Sequence, residues 1–129
     1  REENIRYTTF QHATTNISRS IVNAGDLVIA KMMPAGRTII CPNHEKMFVL
    51  SSDSIKLALL NGIDKAYIRT ILNSPIYRKN ISGETRGIGR ERTSITKLKS
   101  LVVPLPPLAE QKRIVAKVEE LFTEIENLK

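Results

Sequence analysis

Residues 101–129 read LVVPLPPLAEQKRIVAKVEELFTEIENLK, and this stretch decides the architecture. Its short apolar run predicts a strand over 101–105. Pro104, Pro106 and Pro107 predict a hinge, and the remainder predicts a long amphipathic helix running to Lys129. Along that helix the apolar residues fall at Ile114, Val118, Leu121, Ile125 and Leu128, in alternating steps of four and three. A mean step of about 3.5 is the seam of a coiled coil, narrower than the stripe of a helix lying on its own domain. Val115 and Phe122 widen the seam on one side. Such a helix is built to lie against another long helix, and the sequence predicts no second one. A partner helix from the same or another copy, or self-association through this helix, is therefore expected.

Outward from this helix, composition sets the bounds. At 129 residues the chain has room for one domain with a modest core. No apolar run approaches the ~20 residues of a membrane span, and no signal-peptide pattern opens the chain, so no membrane partner is expected. Cys41 is the sole cysteine, which excludes an internal disulfide framework and fits a reducing cytoplasm. His12 and His44 stand apart without a Cys/His cluster, so no metal site is expected.

The net charge of +7 is unevenly placed. Residues 65–99 hold nine Lys/Arg against Glu84 and Glu91, a surplus equal to the whole net charge. The helical segment 110–129 carries four basic and five acidic residues and is close to neutral. Concentrated basic charge attracts a polyanion, because neutralised phosphates release their condensed counterions. The competing reading is a solvated basic face kept for solubility.

Upstream, residues 1–20 are polar with weak pattern, as though the start of a domain were missing. Gly25-Asp26 predicts a turn into a strand over 27–32, and Pro34-Ala35-Gly36 a tight connection to a second strand over 38–41. Further strands are expected near 47–50 and 55–59, after a turn at Pro42-Asn43-His44. Asp64 is a candidate N-cap for a helix over 65–73, and Ser74-Pro75 restarts a short helix ending at Gly83. Ile68, Ile71, Leu72, Ile76 and Tyr77 are expected to face the sheet, and Thr96 to cap a short helix reaching Leu101. Phe10, Tyr7 and Tyr67 read as core or surface-packing residues. The fold class is α+β: a small twisted sheet with packed helices, followed by a long C-terminal coiled-coil-type helix.

Four segments in one order carry a resemblance. Ala24-Gly25-Asp26-Leu27-Val28-Ile29-Ala30 matches a "GDLLIA" strand, and Tyr67-Ile68 through Leu72-Asn73-Ser74-Pro75-Ile76-Tyr77-Arg78-Lys79 matches a "YL…YYLNSP–RK" helix. A Gly/Arg-rich segment and short helix follow, and Pro106-Pro107-Leu108-Ala109-Glu110-Gln111-Lys112-Arg113-Ile114-Val115 matches a "PLPPL-EQ-RIV" junction. Over about residues 24–124 the chain resembles specificity subunits of type I restriction–modification enzymes. The resemblance implies a target-recognition domain over 1–105, its N-terminal part missing, and a hinge with a spacer and dimerisation helix over 106–129. A whole subunit of that family has two recognition domains and two spacer helices. This chain has one incomplete domain and starts at Arg1, so a piece of a longer protein is expected.

What the resemblance further implies is a non-catalytic reader of one half of a split double-stranded DNA target. Its spacer helix pairs antiparallel with a counterpart and sets the distance between half-sites. Methyltransferase subunits with S-adenosylmethionine, and an ATP- and Mg-dependent motor-nuclease subunit, would supply the chemistry; this chain itself would carry no cofactor. Within Gly83-Glu84-Thr85-Arg86-Gly87-Ile88-Gly89-Arg90-Glu91-Arg92-Thr93, the glycines let backbone approach a surface and the arginines supply planar forks for phosphates or guanine edges. The DNA candidates are Lys79, Arg86, Gly87, Gly89, Arg90 and Arg92, with Lys31 and Arg37 flanking the hairpin loop. The helix-pairing candidates are Ile114, Val115, Val118, Leu121, Phe122, Ile125 and Leu128.

Three imitations of catalytic motifs fail on their surroundings. Ser74-Pro75-Ile76-Tyr77 lacks the second proline of the amino-methyltransferase loop, and no glycine-rich cofactor loop precedes it. Glu110-Gln111-Lys112 imitates half of a nuclease site but has no Pro-Asp pair upstream, and its Glu suits a helix N-terminus. Gly83…Gly87-Ile88-Gly89 lacks the Lys-Ser/Thr of a phosphate-binding loop. Two alternatives remain open at this point: the recognition domain of a single-chain enzyme that fuses methylation, cleavage and reading, and a helix-pairing interaction module that binds no DNA.

Overall fold

A computed structural model describes residues 9–15, 20–31, 35–43, 48–82 and 93–129. In chain order its elements are α1 (Phe10–Thr15), β1 (Ile21–Val22), β2 (Leu27–Ala30), β3 (Thr38–Ile40), β4 (Phe48–Val49), β5 (Ser54–Leu57), α2 (Lys65–Leu72), α3 (Pro75–Ser82), α4 (Ile95–Lys99) and α5 (Leu108–Asn127). The fold is α+β, with two small antiparallel sheets and a long C-terminal helix.

β2 is the centre of a three-stranded sheet ordered β3-β2-β5. Leu27, Val28 and Ile29 are all buried, so both faces of this strand are covered and the residues read as a continuous apolar run rather than an alternation. The register places Leu27 opposite Ile40 and Leu57, and Ile29 opposite Thr38 and Ile55. Leu27 and Ile29 meet Tyr67, Ile68 and Leu72 of α2, with Ala35, Ile81 and Val115 completing the core. β1 and β4 form a separate pair, tied to the larger sheet where Lys56 Nζ donates to the Ile21 carbonyl at 2.8 Å.

The expected hairpin forms, with β2 ending at Ala30 and β3 at Ile40, while residues 32–34 and 44–47 lie outside the described residues. Asp64 caps α2 as expected: its backbone is extended and its carboxylate accepts from Tyr67 N at 3.0 Å. The restart at Ser74-Pro75 also forms, but Ile76 does not face the sheet. It is 72% exposed, whereas Tyr77 packs against the core as expected and Ile81, one turn further on, is buried in it. Asn73 and Ser74 separate α2 from α3, so the inward positions of α2 do not continue in phase through α3.

Two further expectations are corrected. Ser94, not Thr96, caps α4: Ser94 has extended backbone and its Oγ accepts from Lys97 N at 3.1 Å, leaving Thr96 inside the helix. Residues 101–105 make no strand. Leu101 and Val103 pack against the core while Val102 and Pro104 face out, so the period-two burial holds without a ladder as far as Pro104 and ends at Leu105, which is exposed. Proline has no N–H to give a ladder. Here the Val102 carbonyl accepts from the Tyr77 hydroxyl at 2.5 Å and the Pro104 carbonyl from the Tyr67 hydroxyl at 2.7 Å.

Candidate nucleic-acid interface and the base of the long helix

The candidate interface gathers at the loop end of the β2–β3 hairpin. Gly36 turns the chain there with φ of +87°, a left-handed conformation that costs glycine least, and its N–H donates to the Ala30 carbonyl at 2.8 Å. Ala30 N in turn donates to the Arg37 carbonyl at 2.9 Å, closing the hairpin and leaving the Arg37 side chain exposed. A Cβ on Gly36 would lie 2.8 Å from Cγ2 of Ile81, so the last turn of α3 rests directly on this glycine. Lys79, two residues before Ile81, is exposed on the same helix end.

Lys31 marks the other side of the hairpin end. Its N–H donates to the Asp53 carbonyl at 2.7 Å, and its own carbonyl accepts from Thr93 N at 2.8 Å. Arg86, Gly87, Gly89, Arg90 and Arg92 lie outside the described residues. Both flanks of that segment nevertheless meet the hairpin, Ile81 through Gly36 and Thr93 through Lys31. The described DNA candidates Lys31, Arg37 and Lys79 thus belong to the structural corner where the Gly/Arg segment departs and returns.

Asn73 is a residue that sequence reasoning passed over. Its Oδ1 accepts from Thr38 N at 2.9 Å and its Nδ2 donates to the Thr38 carbonyl at 2.8 Å. The carboxamide presents one acceptor and one donor to the edge strand β3, as a neighbouring peptide would, and so fastens the hairpin to the C-terminus of α2. An asparagine before Ser-Pro signals a helix end, but nothing local in the sequence signals a bond to a strand 35 positions away.

α5 divides the expected seam. Val115 is core, and Ile114 packs against it, so the first turns of the helix lie on their own domain against α2. Arg69 of α2 and Glu119 of α5 add an ion pair at 3.9 Å. Beyond Val118, which is half-buried, Leu121, Phe122, Ile125 and Leu128 are exposed. A spacing of about 3.5 aligns apolar side chains but does not specify what covers them. Among them α2 reaches only the N-terminal part.

Tyr67 and Gln111 are the other residues the sequence did not single out as sites. Tyr67 is 1% exposed, and burial pushes its phenol pKa up, with the nearby Tyr77 phenol contributing second by charge repulsion. Gln111 is also 1% exposed, its amide spent on three backbone groups. Among the described residues no three His, Cys, Asp or Glu side chains gather as metal ligands, and no helix is long and apolar enough to cross a membrane.

This architecture has a solved counterpart. A chain from a structure described as "Structural basis underlying complex assembly and conformational transition of the type I R-M system" superposes with a TM-score of 0.66 at 21% sequence identity, over 85% of this chain. The present chain spans about a quarter of that chain's length (26%). At that identity the likeness is one of fold. No curated protein matches the chain. The sequence supplies what the superposition leaves open: the family model for the type I restriction modification DNA specificity domain matches residues 3–129, from before α1 through the whole of α5, and the chain belongs to that family.

Proposed function

We propose that this chain reads one half of a split double-stranded DNA target, and that α5 positions it relative to a second reader. The reader role belongs to the family; what supports the particular surface is that both flanks of the Gly/Arg segment abut the hairpin end carrying Lys31 and Arg37. Lys79, Arg86, Arg90 and Arg92 contact phosphates or base edges, and Gly87 and Gly89 let the backbone come close. The exposed half of α5 pairs with a second spacer helix, from the same or another specificity chain. Catalysis resides in partners: methyltransferase subunits using S-adenosylmethionine, and a motor-nuclease requiring ATP and Mg. The chain holds no cofactor of its own and works in the cytoplasm, where the DNA is.

The test begins with modified-base mapping of the host genome with and without the parent gene. Loss of methylated adenine from one gapped, bipartite motif is the expected result. Loss from a short continuous motif would favour a fused single-chain enzyme, and an unchanged pattern would refute the reading. On the motif so identified, replacing Arg86, Arg90 and Arg92 with Ala should lower the slope of log K against log salt by about 0.9 for each phosphate no longer neutralised. An unaltered slope would remove these arginines from the interface.

A further inference from the structure

The carboxamide of Gln111 uses its polar atoms on three separated pieces of backbone. Oε1 accepts from Asp64 N at 2.9 Å, while Nε2 donates to the Gly62 carbonyl at 3.0 Å and to the Pro106 carbonyl at 2.8 Å. Asp64 caps α2 through Tyr67 N, and the Tyr67 hydroxyl returns to the Pro104 carbonyl. A closed ring therefore runs from Gln111 through Asp64, Tyr67 and Pro104 to Pro106 and back to Gln111. It joins the first turn of α5 to the first turn of α2 across the proline run.

The other contacts of α5 with the domain are of a different kind. Val115 and Ile114 are held by apolar packing, which is non-directional and tolerates rolling and sliding of one helix on another. The Arg69–Glu119 ion pair at 3.9 Å joins two long, solvent-exposed side chains that can follow such a movement. Hydrogen bonds require alignment as well as distance. Three of them on one side chain at the helix base fix both its rotation and its axial position.

From this geometry we infer that Gln111 is a positioning residue that makes residues 104–107 a rigid elbow, and that discrimination between gap lengths in the DNA target depends on it. The inference rests on the DNA-reading proposal above. Leverage makes the elbow matter. α5 has 20 residues, or about 30 Å at 1.5 Å per residue. A swing of roughly 10° at its base moves the tip about 5 Å, more than the ~3.4 Å between successive base pairs. A loose elbow would blur a gap by one base pair even with both readers intact.

The experiment uses the full specificity chain in its assembled complex. It measures binding to duplexes carrying the mapped target with its native gap and with gaps one base pair longer or shorter. Gln111→Met keeps length and volume and removes the three bonds. Tyr67→Phe breaks the same ring at another point, and Ile29→Val weakens the core on which Tyr67 packs while leaving every bond of the ring in place. Gln111→Met should lower the preference for the native gap at least tenfold, chiefly by strengthening binding to the altered gaps. Tyr67→Phe should lower it several-fold, and remains the deciding variant if Gln111→Met does not assemble. Ile29→Val should leave the preference unchanged. An undiminished preference in the ring variants, or an equal fall in Ile29→Val, overturns the inference while leaving the reader intact. A wild-type complex that binds all gaps alike overturns the DNA-reading proposal and this inference with it.

Discussion

Gly36→Ala should be among the most damaging single-methyl additions in this chain, and its cost can be built from two separable parts. The first is conformational: at φ of +87° an L side chain is strained, costing about 1–2 kcal/mol. The second is steric. The new methyl would stand 2.8 Å from Cγ2 of Ile81 and 3.1 Å from its Cβ and Cδ1. Ile81 is branched, fully buried and fixed on the last turn of α3, so it cannot swing aside. Overpacking of this kind costs about 1–3 kcal/mol. The stiffer unfolded chain returns about 0.4–1 kcal/mol, leaving a net loss of about 2–4 kcal/mol.

Gly62→Ala is the matched control. Gly62 has φ of +86° and open space where its Cβ would lie, so it carries the strain without the clash. It should cost about 1 kcal/mol by the same bookkeeping. Equilibrium urea unfolding of the two variants therefore isolates the Ile81 clash as their difference. Adding Ile81→Ala to Gly36→Ala removes Cγ2 and Cδ1 and should recover about 1–3 kcal/mol in a double-mutant cycle. A Gly36→Ala loss no larger than that of Gly62→Ala, or a cycle with no coupling, would refute the packing of α3 on the hairpin and with it the corner assigned to DNA.

Three other outcomes follow from the same packing and bonding. Tyr67→Phe loses the bond to the Pro104 carbonyl and about 0.5–1.5 kcal/mol near neutral pH. Its pH dependence adds a signature: the folded phenol pKa lies above the ordinary 10.0, so the folded state holds that proton more tightly. Wild-type stability should be intact below pH 10.0 and fall as pH rises past it, and urea midpoints across that range should show this limb weakened in the variant. Asn73→Ala strips two bonds from the edge strand; it should cost about 1–3 kcal/mol and speed hydrogen exchange at the Thr38 amide, and an unchanged exchange rate would sink the strand-fastening role. Leu121→Asp should reduce self-association in sedimentation velocity while shifting unfolding by about 0.5 kcal/mol or less, because this part of α5 is exposed; unaltered association would refute helix pairing through it.

The readable parts of this fold are those whose signals are local. Asp64 as an N-cap, the glycine turn at the hairpin and the restart at Ser74-Pro75 each depend on a few adjacent residues, and each forms. The unread parts depend on residues far off in sequence. Val115 and Leu121 look alike as apolar positions of one helix, yet α2 buries the first and leaves the second exposed. At the candidate interface Lys31, Arg37 and Lys79 could be named from charge. Gly36 and Asn73, which hold the hairpin in place, could not be assigned that work without α3 and β3 beside them. Gln111 is the extreme case, a polar residue in the first turn of an amphipathic helix that would ordinarily read as solvated.

The proline run shows how such distant parts become one unit. A segment rich in proline has carbonyls but few N–H groups, so it cannot satisfy itself by reciprocal pairing and must find donors elsewhere. Here the carbonyls of Val102, Pro104 and Pro106 accept from Tyr77, Tyr67 and Gln111, side chains 25, 37 and 5 positions away. The tyrosines come from α3 and α2, and the glutamine from α5 itself. Two segments that carry the family resemblance, Tyr67 through Lys79 and Pro106 through Val115, therefore both supply donors to a single joint, the first through its two tyrosines and the second through Gln111. The same prolines that suggest a hinge in sequence are what make the segment dependent on those donors. Once the donors are supplied from three helices, the chain's most hinge-like stretch is the place where its long helix is most firmly tied to the domain.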